Sequence, residues 1–290
     1  MMQTTNPSFP IIERRIERSI RGMATSDGAG VKLTRVIGTP LLRQVDPFLM
    51  LDEFRSDDPA QYSAGFPDHP HRGFETISYM ISGRFRHKDS RGNQGVLAPG
   101  GAQWMTAGRG IVHSEMPEQV EGLAHGFQLW LNLPRRDKMC EPSYRDFQPG
   151  DIPQASLGHG AVARVLGGRV GDVVGPIAGR TTEPVYIDVE IPAAVTVSVP
   201  VPSGHNGFVY PFVSGVEAGP EGAATTLARG ELGILTDGGS IRLRAHERAA
   251  RILVIAGKPI GEPVVQYGPF VMTTQAEVEA AIRDFQAGRF

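Results

Sequence analysis

The chain has 290 residues, of which 40% are hydrophobic and 21% charged, with a net charge of −2 and a sequence pI of about 6.5. This composition is typical of a soluble globular protein, and the slightly acidic charge disfavours direct nucleic-acid binding, which usually needs a basic patch. No apolar stretch approaches the roughly 18–20 residues that span a bilayer, and we detect no secretory signal. The single cysteine, Cys140, excludes an internal disulfide, so we expect a cytoplasmic protein without membrane contact.

The first predicted element is an arginine-rich segment, residues 13–21. Organelle transit peptides are also rich in arginine, but they are poor in acidic residues, and this segment contains Glu13 and Glu17. We therefore predict an exposed amphipathic helix here.

Alternation of apolar and polar residues marks several strands further along the chain. The pattern is clearest in residues 127–133, 185–191 and 195–201, and turn residues such as Pro99, Gly100 and Gly238 lie between such segments. Many short strands with frequent turns are typical of a β-sandwich or barrel, so the predicted class is all-β. Two strand-rich halves flank a Gly-rich connection, which predicts domains 1–140 and 141–290.

One helix is predicted near the C-terminus. Thr274 and Glu277 have the spacing of a capping box, and Gly288 is placed to end the helix. An apolar stripe at helical spacing follows the cap: Val278, Ala281, Ile282 and Phe285. We expect this helix to cover a sheet.

Two short motifs predict a metal site. His69 and His71 are separated by one residue, and so are His113 and Glu115. Side chains at positions i and i+2 of a strand share a face, so each pair projects together. A His-x-His pair alone is weak, because chance pairs occur on surfaces. The second pair, and Glu75 shortly after the first, favour a four-ligand site for Fe(II), Mn, Ni, Cu, Co or Zn.

Four longer runs carry a family resemblance: residues 46–54, 66–76, 103–117 and 262–272. Together they resemble the pirin family of the cupin superfamily, in register over most of the chain. The resemblance implies a bicupin, with two jelly-roll type β-barrels that face each other. It also implies that the N-terminal barrel holds a metal ion, usually iron, and that the C-terminal barrel holds none.

The resemblance assigns the four ligands to His69, His71, His113 and Glu115. The general cupin pattern would nominate Glu75 as the carboxylate ligand, whereas the pirin pattern uses Glu115. We follow the pirin pattern and expect Glu75 to orient the imidazoles from behind the ligands.

Two functions are compatible with these residues. The resemblance to bacterial pirins implies a quercetin 2,3-dioxygenase, in which Glu115 acts as catalytic base on a flavonol that reacts with O₂ at the metal. The alternative is a metal- and redox-sensing regulatory protein that binds a partner, as a transcriptional cofactor or a modulator of a metabolic enzyme. We expect a monomer in either case.

Other side chains have open or weaker assignments. His87 and His125 either line the mouth of the pocket or face solvent, and we expect them to face solvent. Trp104 belongs either to the core or to a pocket wall. Gln128 and Trp130 point either into the barrel near the metal or to the surface. In the C-terminal half, His205 and His246 are isolated, so no metal is expected there.

Overall fold

The protein is described by a computed structural model that covers residues 12–290. Its first twelve strands are β1 (Ile16–Arg21), β2 (Met23–Asp27), β3 (Val31–Ile37), β4 (Phe48–Ser56), β5 (Phe66–His71), β6 (Phe74–Ser82), β7 (Phe85–Asp89), β8 (Gln94–Leu97), β9 (Ala102–Thr106), β10 (Ile111–Pro117), β11 (Ala124–Asn132) and β12 (Ser143–Phe147).

The remaining strands are β13 (Gln154–Gly158), β14 (Ala161–Gly167), β15 (Arg169–Val170), β16 (Val173–Val174), β17 (Val185–Ile191), β18 (Thr196–Pro200), β19 (Asn206–Val213), β20 (Val216–Ala218), β21 (Thr225–Leu227), β22 (Glu231–Leu235), β23 (Ser240–Ala245), β24 (Ala250–Gly257), β25 (Val265–Tyr267) and β26 (Phe270–Met272). One α-helix, α1 (Gln275–Gln286), follows, and three short 3-10 helices lie at Pro59–Gln61, Arg135–Asp137 and Pro149–Asp151.

The two halves are built alike, each from a seven-stranded and a four-stranded sheet. In the N-terminal half the strand orders are β12-β9-β6-β11-β4-β3-β2 and β5-β10-β7-β8. In the C-terminal half they are β1-β22-β19-β24-β17-β14-β13 and β18-β23-β20-β21. Neighbouring strands within these sheets pair antiparallel, as in jelly-roll folds. The predicted all-β bicupin fold is therefore confirmed.

The seven-stranded sheets pack face to face and form the contact between the halves. Side chains such as Ile77 and Leu129 from one sheet share a buried core with Phe208 and Leu253 from the other. Polar bonds cross the same contact, because Tyr79 donates to Asp188 at 2.6 Å. The apolar area buried here makes the two halves one packed unit.

Alternation along each strand gives the seven-stranded sheet of the N-terminal half two different faces. On β4, Leu51 packs in the core between the halves, whereas Asp52 lines a cavity inside the N-terminal half. The interior of the C-terminal half is instead filled by aliphatic side chains: Val165, Ile187, Val189, Val199, Ile241, Leu243, Ile252 and Val254. The cavity that Asp52 lines thus belongs mainly to the N-terminal half.

The segment at residues 13–21 is not the helix that we predicted. It contains strand β1, which pairs with β22 of the C-terminal half from Ile16↔Leu235 to Arg21↔Glu231. A partner strand about 200 residues away decides this structure, and local sequence does not reveal it. Arg14 is fully buried there and donates to the carbonyl of Gly238 at 2.9 Å.

The predicted C-terminal helix is confirmed. Thr274 caps it, and Glu277 completes the capping box. Val278 and Ala281 are its fully buried residues, and Phe285 is 39% exposed. The boundary near residue 140 stays a prediction; strand β12, at Ser143–Phe147, belongs to the seven-stranded sheet of the N-terminal half.

The C-terminal ribbon, strands β25 and β26, returns to the N-terminal half. The Val271 amide donates to the carbonyl of Arg72 at 3.0 Å, directly beside the end of β5. Gly73 permits this approach: its φ is +88°, and a Cβ there would lie 2.0 Å from the carbonyl oxygen of Val271. The ribbon therefore closes one side of the cavity, to which it contributes Val265 and Gln266. Within residues 12–290, no helix has the length and apolar character to cross a membrane.

Candidate metal centre

Three histidines meet where strands β5 and β10 pair. His113 lies directly opposite His69 in the register, and Ile111 lies opposite His71. One ligand nitrogen from each of His69, His71 and His113 lies within 4.8 Å of the other two. Strand parity in the sequence predicts this convergence, since both histidines of β5 project to one side.

The three imidazoles have nitrogens free to bind a cation. Nε2 of both His71 and His113 is buried and has no hydrogen-bond partner within residues 12–290. Nδ1 of His69 lies 2.8 Å from the carbonyl oxygen of Pro67, which fixes that nitrogen as the donor and leaves Nε2 available. Buried unpaired nitrogens are costly unless a ligand satisfies them, so this donor set fits a divalent transition metal.

Electrostatics keeps two of these imidazoles neutral. Burial lowers the pKa of His71 well below its usual value, and the neighbouring His69 lowers it further. Burial likewise lowers the pKa of His113, with further contributions from His71 and His69. A neutral imidazole is the form that binds a metal, so His71 and His113 are held in the protonation state that binds a cation.

Glu115 stands outside the group of three. It is buried, two residues after His113 on β10, and it lines the same cavity as His69. Ser78 donates to its Oε1 at 2.9 Å, and Gln128 donates to its Oε2 at 2.7 Å. The carboxylate is therefore held in place by the neighbouring sheet. Its role as fourth ligand stays a prediction.

Glu75 does not orient the imidazoles, and that prediction is wrong. Its Oε1 accepts a hydrogen bond from Thr106 at 2.6 Å and lies 2.9 Å from Nε of Arg180. The error comes from the chain between β5 and β6, where Gly73 breaks the strand, so parity does not carry over from His71.

The prediction that His87 faces solvent is wrong. His87 is buried, not exposed to solvent, and its Nδ1 lies 3.4 Å from Nδ1 of His113. Its other ring nitrogen lies 3.3 Å from Asp89, and its ring stacks on Tyr144 at 4.3 Å. The contacts that run from Asp89 through His87 to His113 can fix the orientation of the His113 imidazole as a metal ligand. Only the register of β7 with β10, which pairs His87 with Glu115, reveals this arrangement.

His125 is also buried and not exposed to solvent, but it faces away from the three histidines. Its Nε2 lies 2.9 Å from Oε1 of Glu53, which also accepts at Oε2 from Tyr210 of the other half. Trp104 likewise belongs to the core between the halves. These residues hold the halves together and take no part in the metal centre.

A cavity of about 1150 Å³ opens beside the histidines. It somewhat exceeds the roughly 300–1,000 Å³ of ordinary small-molecule sites. Gln128 and Trp130 both line it, so the interpretation that they point into the barrel is correct. Trp130 packs edge-on against His71 at 5.2 Å, and the C-terminal ribbon contributes Val265 and Gln266 to the wall.

The isolated histidines of the C-terminal half lie elsewhere. His205 Nε2 lies 3.2 Å from the carbonyl oxygen of Glu183, and His246 Nδ1 lies 3.9 Å from Glu217. Neither belongs to the group of three histidines.

Comparison with known proteins agrees with this architecture. The profile of the family Pirin matches residues 30–131, and the profile described as Pirin C-terminal cupin domain matches residues 186–290. The chain belongs to the pirin family. The recognition made from sequence motifs is therefore confirmed.

Individual pirin relatives cover nearly the whole chain. A Pseudomonas aeruginosa protein named "Putative quercetin 2,3-dioxygenase" is 48% identical over 92% of this chain and 94% of its own length. Human pirin is 39% identical over 94% of this chain and 92% of its own length. The crystal structure of a quercetin 2,3-dioxygenase from Acinetobacter baumannii superimposes with a TM-score of 0.88 at 32% identity, covering 96% of this chain and 99% of that one.

Proposed function

We propose that this pirin is a metal-dependent dioxygenase of the quercetin 2,3-dioxygenase type. The observation that supports the proposal is a group of three histidines with free, buried nitrogens at the wall of a cavity large enough for a flavonol. Relatives named as quercetin dioxygenases support the same activity.

His69, His71 and His113 would hold one divalent metal ion through Nε2, with Glu115 as the fourth ligand. Fe(II) is our first choice, and Mn, Ni, Cu, Co and Zn suit the same donors. When bound, the ion supplies Lewis-acid polarisation of the flavonol 3-hydroxyl and open positions for substrate and O₂. The remaining chemistry depends on residues of the chain.

Glu115 is the group placed to take the 3-hydroxyl proton. Each of its oxygens already accepts one hydrogen bond, from Ser78 or from Gln128, and retains a second lone pair. Those two donors fix the orientation of the carboxylate, as a general base requires. Trp130 packs its apolar ring against His71 on one side of this site.

The reaction consumes one flavonol and one O₂. The deprotonated flavonol is the reductant and O₂ the oxidant; the heterocycle opens, one ring carbon leaves as carbon monoxide, and both oxygen atoms of O₂ remain in the ring-opened ester. The proton taken by Glu115 returns to the product. No further cofactor is required for this balance.

Reconstitution tests the proposal. The protein would be loaded separately with each candidate metal, and quercetin absorbance and oxygen uptake would be followed together. We expect turnover with at least one metal and none with the His71→Ala variant. Absence of turnover with every metal and several flavonols would contradict the enzyme and favour a regulatory protein that binds a partner.

A second measurement separates the roles of Glu115. We expect the Glu115→Gln variant to bind metal more weakly and to lose turnover, because an amide is a poorer ligand and no base. Full metal content in this variant would rule out the carboxylate as a ligand. Glu118→Gln, which perturbs a part-exposed ion pair with Arg86, is the control.

A further inference from the structure

A row of polar side chains crosses the cavity wall at one level. The register pairs Ser78 with Gln128, Gln128 with Asp52, and Asp52 with Arg35, so these residues lie side by side on strands β6, β11, β4 and β3. All of them line the cavity. Neighbouring strands are about 4.8 Å apart, so the backbone of Arg35 lies about 10 Å from that of Gln128.

The two ends of the row differ in chemistry. At one end, Ser78 and Gln128 donate to Glu115 beside the histidines. At the other end, Arg35 and Asp52 form a two-pronged ion pair, with Nε to Oδ1 at 2.9 Å and Nη2 to Oδ2 at 2.7 Å. The cavity therefore has a second polar pole, remote from the metal centre.

This second pole retains unused hydrogen-bonding capacity. The bonds of Arg35 to Asp52 and Asp27 use Nε and Nη2, and Nη1 has no partner within residues 12–290. Each Asp52 oxygen accepts one bond from Arg35 and has a further lone pair. The Arg35 side chain is 25% exposed and that of Asp52 is 5% exposed, and both line the cavity.

Apolar side chains occupy the wall on either side of the row. Phe54 follows Asp52 on the same face of β4, and Met80 follows Ser78 on the same face of β6. Trp130 and Leu33 flank Gln128 and Arg35 in the same way. Flat aromatic rings would pack against these side chains, while their hydroxyls reach the polar row.

We propose that this cavity selects polyphenols with two polar ends: an acidic hydroxyl at the histidines and Glu115, and further hydroxyls held by Asp52 and Arg35 at the remote pole. This inference rests on the proposed function, because it places a flavonol in the cavity. A hydroxyl would donate to Asp52 and accept from Arg35, a pairing that an unsubstituted ring cannot provide. The ion pair then determines specificity in addition to supporting the sheet.

The test measures binding as well as turnover. The metal-loaded protein would be titrated without oxygen with 3-hydroxyflavones that carry further hydroxyls on the pendant ring, on the fused ring, on both rings or on neither. We expect the unsubstituted compound to bind about tenfold to a hundredfold more weakly than the fully substituted one, the range for a lost hydrogen bond to a charged group.

Variants show whether Asp52 is responsible for that difference. Asp52→Asn should remove most of the discrimination between substituted and unsubstituted compounds, and Arg35→Gln should reduce it. Glu118→Gln, which perturbs the Arg86 ion pair outside the cavity, should leave it unchanged. Thermal unfolding establishes that each variant is folded, and Arg35→Gln serves if Asp52→Asn is not.

The outcomes distinguish this inference from the proposed function. Oxygen uptake with equal affinity for all compounds would overturn the inference alone. An equal loss of affinity for every compound in Asp52→Asn would show a purely structural ion pair and would also overturn it. Hydroxyl-dependent binding without oxygen uptake would support the inference and contradict the dioxygenase. Binding of none of the compounds would overturn both.

Discussion

Gln128 donates a hydrogen bond of 2.7 Å to Glu115, and this bond ties the seven-stranded sheet to the strand that carries His113. The backbone of Glu115 belongs to the four-stranded sheet, yet both of its oxygens are held from β6 and β11. The position of the proposed base therefore depends on the packing of two sheets. A substitution in the seven-stranded sheet can remove a donor to Glu115 without changing the strand that carries Glu115.

Replacing Gln128 with Met tests this support. The change keeps an unbranched side chain but leaves Oε2 of the buried Glu115 without its donor, which costs about 1–3 kcal/mol of local stabilisation. We expect kcat/KM for flavonol cleavage to fall about tenfold to a hundredfold. Steady-state oxygen uptake is the measurement. Gln119→Met is the control, since Gln119 bonds to Gly122 in a turn and does not line the cavity; an equal effect of both changes would contradict the prediction.

His87 should tune metal affinity without being a ligand. His87→Phe preserves the stacking with Tyr144 and removes the nitrogen that lies 3.4 Å from Nδ1 of His113. We expect metal affinity to fall about tenfold to a hundredfold, the usual effect of losing a group that orients a ligand imidazole. Competition with a chelator measures it. Unchanged metal affinity would show that the contacts from Asp89 through His87 do not orient His113. His246→Phe, at an exposed histidine of the C-terminal half, is the control.

Replacing Gly73 is predicted to cost more stability than replacing another glycine with positive φ, because the C-terminal ribbon lies against it. Gly73→Ala places a Cβ about where the carbonyl of Val271 lies, whereas Gly92 has nearly the same φ, +85° against +88°, and open space around it. We expect Gly92→Ala to cost about 1–2 kcal/mol from backbone strain alone, and Gly73→Ala about 1–3 kcal/mol more. Denaturant unfolding gives both values. Equal losses of unfolding free energy in the two variants would show that the C-terminal ribbon shifts away from the added Cβ without an energetic cost.

Glu53 links stability to pH at the contact between the halves. Burial alone raises the pKa of this carboxyl, but hydrogen bonds with His125 and Tyr210 and nearby positive charge outweigh it, so the net pKa is lower than the usual 4.5. A lowered folded-state pKa adds stability that is present above pH 4.5 and is lost as the pH falls through the folded value.

We therefore expect the stability advantage of the wild type over Glu53→Gln to shrink as the pH falls below about 4.5. Unfolding free energies measured at a series of pH values test this. Glu190→Gln, at an exposed glutamate of the C-terminal half, controls for general charge effects. An advantage that is independent of pH would mean that the Glu53 carboxyl has no special role in joining the halves.

Local sequence predicted the elements whose signals are local. The capping box at Thr274 and the alternation of residues 185–191 correspond to α1 and β17. The same parity brought His69 and His71 to one side of a strand. These features depend on neighbours within a few residues, so the sequence displays them directly.

Two of the errors share one cause, which is pairing between distant segments. Residues 13–21 form a strand because β22 is available as a partner, and His87 is buried because β10 lies beside β7. The error at Glu75 is local instead: Gly73, at φ +88°, interrupts the strand between His71 and Glu75, and the Glu75 carboxylate accepts from Thr106. The register between distant strands decides the positions of residues 13–21 and His87, and a single sequence carries no local signal for that register.

Carbon monoxide release is the direct test of flavonol cleavage at the three histidines. Oxygen uptake and carbon monoxide would be measured in the same closed vessel with metal-loaded protein and quercetin. The proposed chemistry predicts one carbon monoxide for each O₂ consumed, and neither gas change with His71→Ala. Oxygen uptake without carbon monoxide, or equal release by the variant, would contradict flavonol cleavage at the three histidines.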